Sequence, residues 1–211
     1  MMAMPEREFY FSTIPLPPPR ADIFRRMGFR PGVTVLADSR RVAIEQNIDD
    51  AMAIIALQGI AKVVPITAID GEKISLAGGR IFTSAKLAAF IGTAKELLLL
   101  AASAGNGIMA AIEAAHQQND LARAVVFDAT ASEVVDGALS WMQSFLANTL
   151  RREGYLVNQR RFSAGYGDFA LSHQRDFYEI LDLQRIDITL SASFILIPEK
   201  SVTAICPLLR S

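Results

Sequence analysis

A chain of 211 residues, 51% hydrophobic and 20% charged, has enough apolar surface to bury a core as one domain or one domain plus an extension. Its 21 basic and 22 acidic residues leave a formal net charge of −1, so bulk charge points to neither a nucleic acid nor a membrane partner, and charge-based recognition must be local. The single cysteine, Cys206, excludes an internal disulfide and a cysteine metal cluster and fits a cytoplasmic setting; within VTAICPLL it reads as a small buried apolar residue.

The opening MMAMPEREFYFSTIPLPPPR lacks the basic-then-apolar pattern of a signal peptide. Its prolines favour a stiff, extended segment. Residues 1–22 are therefore read as a proline-rich arm, ahead of a single α+β domain over 23–211. The arm lies on the domain surface, clasps a second subunit in a homo-oligomer, or engages a proline-binding module. Ser39 is the expected cap of a helix from about Arg40 to Gly59, with Val42, Ile48, Met52 and Ile55 at helical spacing and Gly59 as its stop. KVVPITAI reads as a strand, with Pro65 placing it near an edge. Asp70-Gly71 is a turn signal, and KISL is the returning strand. TSAKLAAFIGTA is a helix capped by Thr83 or Ser84. ELLLLAAS, a continuous apolar run, is expected to be a strand covered on both faces.

Glycines open the next helix, GNGIMAAIEAAHQQND. They also cut the apolar stretch LLLLAASAGNGIMAAI into halves too short to span a bilayer. A glycine-rich helix start can hold an anion on its free amides, although plain sterics also places glycine there. His116, at the far end, suits a helix C-terminus rather than a ligand. From about Asp120 to Arg152 a long helix is expected, interrupted near Asp128. Val134, Val135, Ala138, Trp141, Met142, Phe145 and Leu146 form its apolar face, with Asp136 among them. Gly154 ends it, and YLVNQRRFS reads as a strand. HQRDFYEILDL is a short amphipathic helix. SFILIP and KSVTAICPL are strands joined by a tight turn at Pro198-Glu199-Lys200. Hairpins mixed with helices favour α+β, or mixed α/β, over a doubly wound sheet.

Several common sites have no counterpart. The sequence holds no phosphate-binding G-x-x-x-x-G-K-[ST], no G-x-G-x-x-G after a strand, no H-E-x-x-H and no G-x-S-x-G. Two histidines, His116 and His173, are too few for most histidine metal sites. The chemistry concentrates instead in RRFSAGYGDFALSHQ, residues 160–174. Arg161 can grip a carboxylate through two parallel hydrogen bonds. Gly165 and Gly167 let backbone approach a ligand and offer amide hydrogens. Tyr166 offers a face to a cation or a flat ring. Asp136 can hold an amino group. A zwitterionic amino acid joined to a cationic centre and a purine, as in S-adenosylmethionine, uses all of these. Spacing alone also accommodates a tight surface turn flanked by solvated arginines.

The run RFSAGYGDFALSHQ resembles the R-x-x-x-G-Y motif of the activation domain of cobalamin-dependent methionine synthase. It is closer still to short, free-standing relatives of that domain, which read R-F-S-P-G-Y-G-D with a leucine and a glutamine following. Arg161, Phe162, Ser163, Gly165, Tyr166, Gly167, Asp168, Leu171 and Gln174 fit; Ala164 replaces the usual proline. LSASFILIPEKSVTAI resembles the family's second block, with Ser193, Phe194, Pro198, Lys200, Ser201 and Val202 in register. RRMGFRPG, the central FTSAKLAAFIGTAKELLLLAASAGNGIMAAI and FDATASEVVDGAL extend the likeness over roughly Phe24 to Pro207.

This resemblance implies an activation-domain-like fold: a twisted, largely antiparallel sheet with flanking helices. It implies S-adenosylmethionine as ligand, with Arg161 on its carboxylate and Ser163, Ala164, Gly165 and Tyr166 lining the site. Asp136 falls where the family has a glutamate that meets the ligand's amino group, one methylene longer. The family restores methylcobalamin after cobalt oxidation, using one electron from a reductase protein and a methyl group from S-adenosylmethionine. The chain lacks a cobalamin-binding D-x-H-x-x-G motif. Cobalamin therefore enters through a partner, a corrinoid protein or a cobalamin-dependent methyltransferase, with an electron-transfer protein as a further partner. The alternative is a non-catalytic docking module for a corrinoid protein that has lost the ligand, a reading drawn from Ala192, Asp136 and the short C-terminal segment. An ordinary small-molecule methyltransferase is a third reading, against which the missing glycine-rich loop counts.

Overall fold

The computed structural model describes residues 7–210. In chain order these form β1 (Arg7–Phe11), α1 (Arg20–Arg26), α2 (Asp38–Ile54), β2 (Gln58–Asp70), β3 (Lys73–Leu76), β4 (Ile81–Thr83), α3 (Ala85–Ile91) and β5 (Glu96–Ser103). There follow α4 (Asn106–Gln117), α5 (Leu121–Arg151), β6 (Tyr155–Val157), α6 (Gln174–Ile180), β7 (Thr189–Leu190), β8 (Leu196–Ile197) and β9 (Ser201–Arg210).

All of β5 is buried, as its unbroken apolar run predicts. It pairs antiparallel with β2, Leu100 opposite Ala61, and with β9, Leu100 opposite Ala204. Successive side chains of a strand point to opposite faces. Leu98, Leu100 and Ala102 accordingly enter one core, and Leu97, Leu99 and Ala101 enter another. The first core lies under α5, joined by residues of α2 and α4. The second takes Leu87 and Ile91 of α3 and Phe177 of α6. Among the described residues the main sheet runs β4-β3-β2-β5-β9-β6, with β1 also on β2, and its pairings are antiparallel. The expected class, α+β with a largely antiparallel sheet and flanking helices, is the class observed.

Ser84 caps α3, its hydroxyl accepting from the Leu87 N–H at 2.9 Å, as one of the two expected caps. Other boundaries differ. Helix α5 passes through Asp128 without a break, because that side chain reaches off the helix to Lys200 (2.6 Å) rather than competing for the backbone. Phe145, expected on the buried face, is 47% exposed and stacks on Trp141 at 5.3 Å. Helix α2 begins after Ala37 with no side-chain cap, so Ser39 sits inside its first turn. The same helix ends at Ile54, and Gly59 lies within β2. A Cβ at Gly59 would stand 2.5 Å from Met142 Sδ and 3.1 Å from Ile14 Cδ1. The glycine lets α5 approach the sheet rather than stopping a helix. The strand that holds Pro65 is interior to the sheet, but among the described residues Pro65 itself is paired with β5 alone. It sits between the described pairings of β1, which reach Val63, and those of β3, which begin at Ile66. SFILIP and KSVTAICPL do not pair with each other: β8 pairs with β7 in a separate small hairpin. No helix of the described residues is long and apolar enough to cross a membrane.

The fit at Gly59 is testable. Gly59→Ala is expected to destabilise the fold by about 1–3 kcal/mol through overpacking. It would appear as a lower urea midpoint at unchanged m-value.

Candidate ligand-binding site

The expected strand YLVNQRRFS holds only as far as Val157. The chain then leaves the ladder and rejoins it at Phe162, which exchanges backbone hydrogen bonds with Ile205 (3.0 and 2.7 Å). The detour delivers Arg161 to α5. Its Nη1 donates to Ser140 Oγ at 3.0 Å and to Gln143 Oε1 at 3.2 Å. Gln143 is buried, and its Nε2 donates to the Asn158 carbonyl at 2.6 Å, so one amide ties the helix to both ends of the detour. Arg7, Arg20, Arg25, Arg26, Arg80, Arg123, Arg185 and Arg210 each lie within 4 Å of a carboxylate. Arg161 has none among the described residues: its partners are neutral oxygens, which orient the guanidinium and leave its charge uncompensated.

A self-closed turn follows. Gly165 (φ 91°) donates its N–H to Phe169 O at 2.7 Å, and Phe169 N–H returns to Tyr166 O at 3.0 Å. The Gly165 amide expected to face a ligand is thus used inside the loop. Ser163 Oγ donates to the Thr203 carbonyl at 2.8 Å and fastens the turn to β9. Ala164 is buried against the second core, while the Tyr166 ring stands 69% exposed. Asp168 faces away and takes the start of α3: Ser84 Oγ, Ala85 N–H (2.9 Å) and Lys86 N–H (3.2 Å) donate to its carboxylate. The Ser84 hydroxyl first, and these amides with it, hold the Asp168 carboxyl below its ordinary value of 3.8.

A cavity of about 590 Å³ opens at this place. Asp136, Arg161, Ser163, Ala164 and Tyr166 line it together; Gly165 is not on its wall. The Asp136 carboxylate is exposed and has no hydrogen bond or ion pair among the described residues. Sequence reasoning missed Ser140 and Gln143, which hold Arg161. The signal was present: Asp136, Ser140 and Gln143 recur at i, i+4 and i+7, a polar row on an otherwise apolar helix face. Gln174 and Thr203, hydrogen-bonded to each other at 2.8 Å, add a buried polar wall. Of the second block, Ser201 and Val202 line the cavity, whereas Phe194 lies under the Arg175 guanidinium at 5.2 Å.

The other candidates have structural roles. His173 accepts from Thr83 N–H at 3.3 Å through Nε2, meets Asp176 through Nδ1 at 2.8 Å, and stacks on Phe169. A Cβ at Gly105 or Gly107 would stand 3.3 Å from the end of α2 or the segment after it, so these glycines serve close packing. Burial in the first core pushes the Cys206 thiol up to about 12. No cluster of described residues has the ligands to hold a metal ion.

No family model and no curated protein matches the sequence. A solved structure does match: the MetH reactivation domain bound to AdoHcy, with TM-score 0.69, over 97% of this chain and 78% of that chain, at 13% identity. The chain has the fold of a MetH reactivation domain. The fold expected from two short motifs is therefore found, at an identity that speaks for architecture and not for ligand. Within this MetH reactivation-domain fold, the cavity lies where α5 and the R-x-x-x-G-Y turn meet.

Two checks follow. Asp168 has a lower pKa folded than unfolded, so its stabilisation is fully present above pH 3.8 and is lost as the pH falls through the folded value. The stability difference between wild type and Asp168→Asn, measured by urea denaturation, should therefore be constant near neutrality and close below pH 3.8. Cys206 should resist a thiol reagent at pH 8 in native protein and react at once in denaturant.

Proposed function

We propose that the chain binds S-adenosylmethionine in the cavity beside Arg161 and supports reductive methylation of cobalamin on a separate corrinoid protein or cobalamin-dependent methyltransferase. The observation that carries the reading is the uncompensated Arg161 guanidinium, held by Ser140 and Gln143 in one cavity with Asp136 and Tyr166. A volume of about 590 Å³ is in the range of small-ligand sites. The domain of like fold was solved with AdoHcy, which is the proposed ligand less its methyl group, and the choice of ligand is consistent with that.

In this reading Arg161 takes the amino-acid carboxylate and Asp136 the ammonium. Asp136 lies a turn before Ser140 on the helix that orients Arg161, so the two charges address a zwitterion from one element. The Tyr166 ring is free to meet the sulfonium or the purine, and Ser163 and Ala164 supply the wall between. S-adenosylmethionine brings a methyl group already activated on positive sulfur. The C–S bonding pair stays on sulfur, and a Co(I) acceptor, restored by one electron from a reductase protein, supplies the pair for the new bond. No proton moves, so no general base is required. What the protein contributes is position: donor and acceptor are held in line. The lone buried thiol of Cys206 suits a reducing, cytoplasmic setting.

Calorimetric titration with S-adenosylmethionine tests the proposal. Wild type should bind, and Arg161→Ala should bind about 10- to 100-fold more weakly, the scale of a lost charge-assisted hydrogen bond. Its thermal unfolding should stay close to wild type. A folded wild type that binds neither S-adenosylmethionine nor S-adenosylhomocysteine would overturn it in favour of a docking module without ligand. Methyl transfer to a small molecule without any corrinoid would overturn the reactivation role.

A further inference from the structure

A second cleft, lined by none of the residues of the Arg161 cavity, lies among the N-terminal helices. It measures about 320 Å³ and is formed by α1, the loop after it and the first turns of α2. Phe24 and Phe29, edge to face with centroids 5.5 Å apart, form part of its wall. Arg20, Arg25, Arg30 and Arg41 surround it. The segment 20–41 contains six arginines and two aspartates, a local charge of +4 in a chain of net charge −1.

The four guanidiniums are not equivalent. Arg20 is neutralised by Glu45, also on the wall, and by Asp49; Arg25 is neutralised by Asp22. Arg30 and Arg41 have no carboxylate partner among the described residues, and the Arg41 guanidinium lies 5.5 Å from the centre of the Phe24 ring. The loop between them is closed on itself: Arg30 N–H donates to Thr34 Oγ1 at 2.9 Å, and Thr34 N–H to Arg30 O at 3.0 Å. Two unpaired forked cations beside an aromatic pair match a phosphorylated ligand with a flat ring. Guanidinium binds phosphate oxygens in pairs, and an aromatic face accepts a stacked ring.

We infer that this cleft is a binding site for a nucleoside polyphosphate, separate from the Arg161 cavity, with Arg30 and Arg41 on the phosphates and Phe24 and Phe29 against the base. The probe is ATP, titrated into the full chain by calorimetry at 0.15 M salt with S-adenosylhomocysteine saturating. Wild type should bind. Arg30→Gln and Arg41→Gln should each weaken binding about ten-fold. Arg40→Gln, which removes the same charge next to the cleft but not on its wall, should leave binding unchanged, as should Arg161→Ala. Adenosine and inorganic pyrophosphate should each bind more weakly than ATP. Absence of ATP binding by folded wild type overturns the inference. Equal losses in Arg40→Gln and Arg41→Gln also overturn it, since they would mean diffuse attraction to a basic surface. Loss of ATP binding in Arg161→Ala with Arg41→Gln unaffected would move ATP to the other cavity, again overturning it. Because the cleft shares no lining residue with the Arg161 cavity, failure to bind S-adenosylmethionine leaves this result standing.

Discussion

One buried strand sets the geometry of the molecule. β5 has neighbours on both edges and apolar side chains on both faces, so the sheet cannot expose either side near its centre. Two cores result, back to back, and each needs its own helical cover. The 31-residue α5 supplies one cover and crosses β2, β5, β9 and β6, contacting the sheet along most of its width. Because α5 lies so close that Gly59 has no room for a Cβ, its register against the sheet is tightly held.

That register is what the candidate site inherits. Asp136, Ser140 and Gln143 project from α5 at successive turns, beside the detour that the chain makes between β6 and the bridge at Phe162. Arg161 is presented by the detour and received by the helix. A shift of α5 by one residue would separate the guanidinium from both its oxygens. The amide of Gln143, bound at once to Asn158 O and Arg161, converts helix position directly into side-chain orientation. Such indirect support suits a site whose work is positioning.

The R-x-x-x-G-Y segment divides its labour. Phe162, Ser163, Gly165 and Asp168 are engaged in fastening: a bridge to β9, a hydrogen bond to Thr203, the closure of the turn, and the start of α3. Arg161, Ala164 and Tyr166 line the cavity, and Phe162 and Ser163 do both. About half of the motif is thus a mechanical joint of the fold. The architecture that the two blocks pointed to is the one found, at 13% identity.

Local chemistry in the sequence was enough to mark β5 by its unbroken apolar run, the Ser84 cap and the long α5, while the family resemblance, rather than spacing, singled out the Arg161–Tyr166 segment. In each of the first three the cause acts within a few residues: burial on both faces, one hydroxyl near a free amide, one helical period. Contacts between distant segments decided the remainder. Gly59 reads as a helix stop until Met142, far along the chain, leaves no room for its side chain. Asp128 reads as a break until Lys200 takes its charge. Pro65 reads as the mark of an edge strand until β1 and β3 are seen to share one side of β2, leaving the proline in the gap between their pairings. Ser140 and Gln143 read as polar residues on a helix until Arg161 arrives between them. Each of these depends on a partner at least 18 residues away or on the order of strands in the sheet, and neither is encoded in the local pattern around the residue concerned.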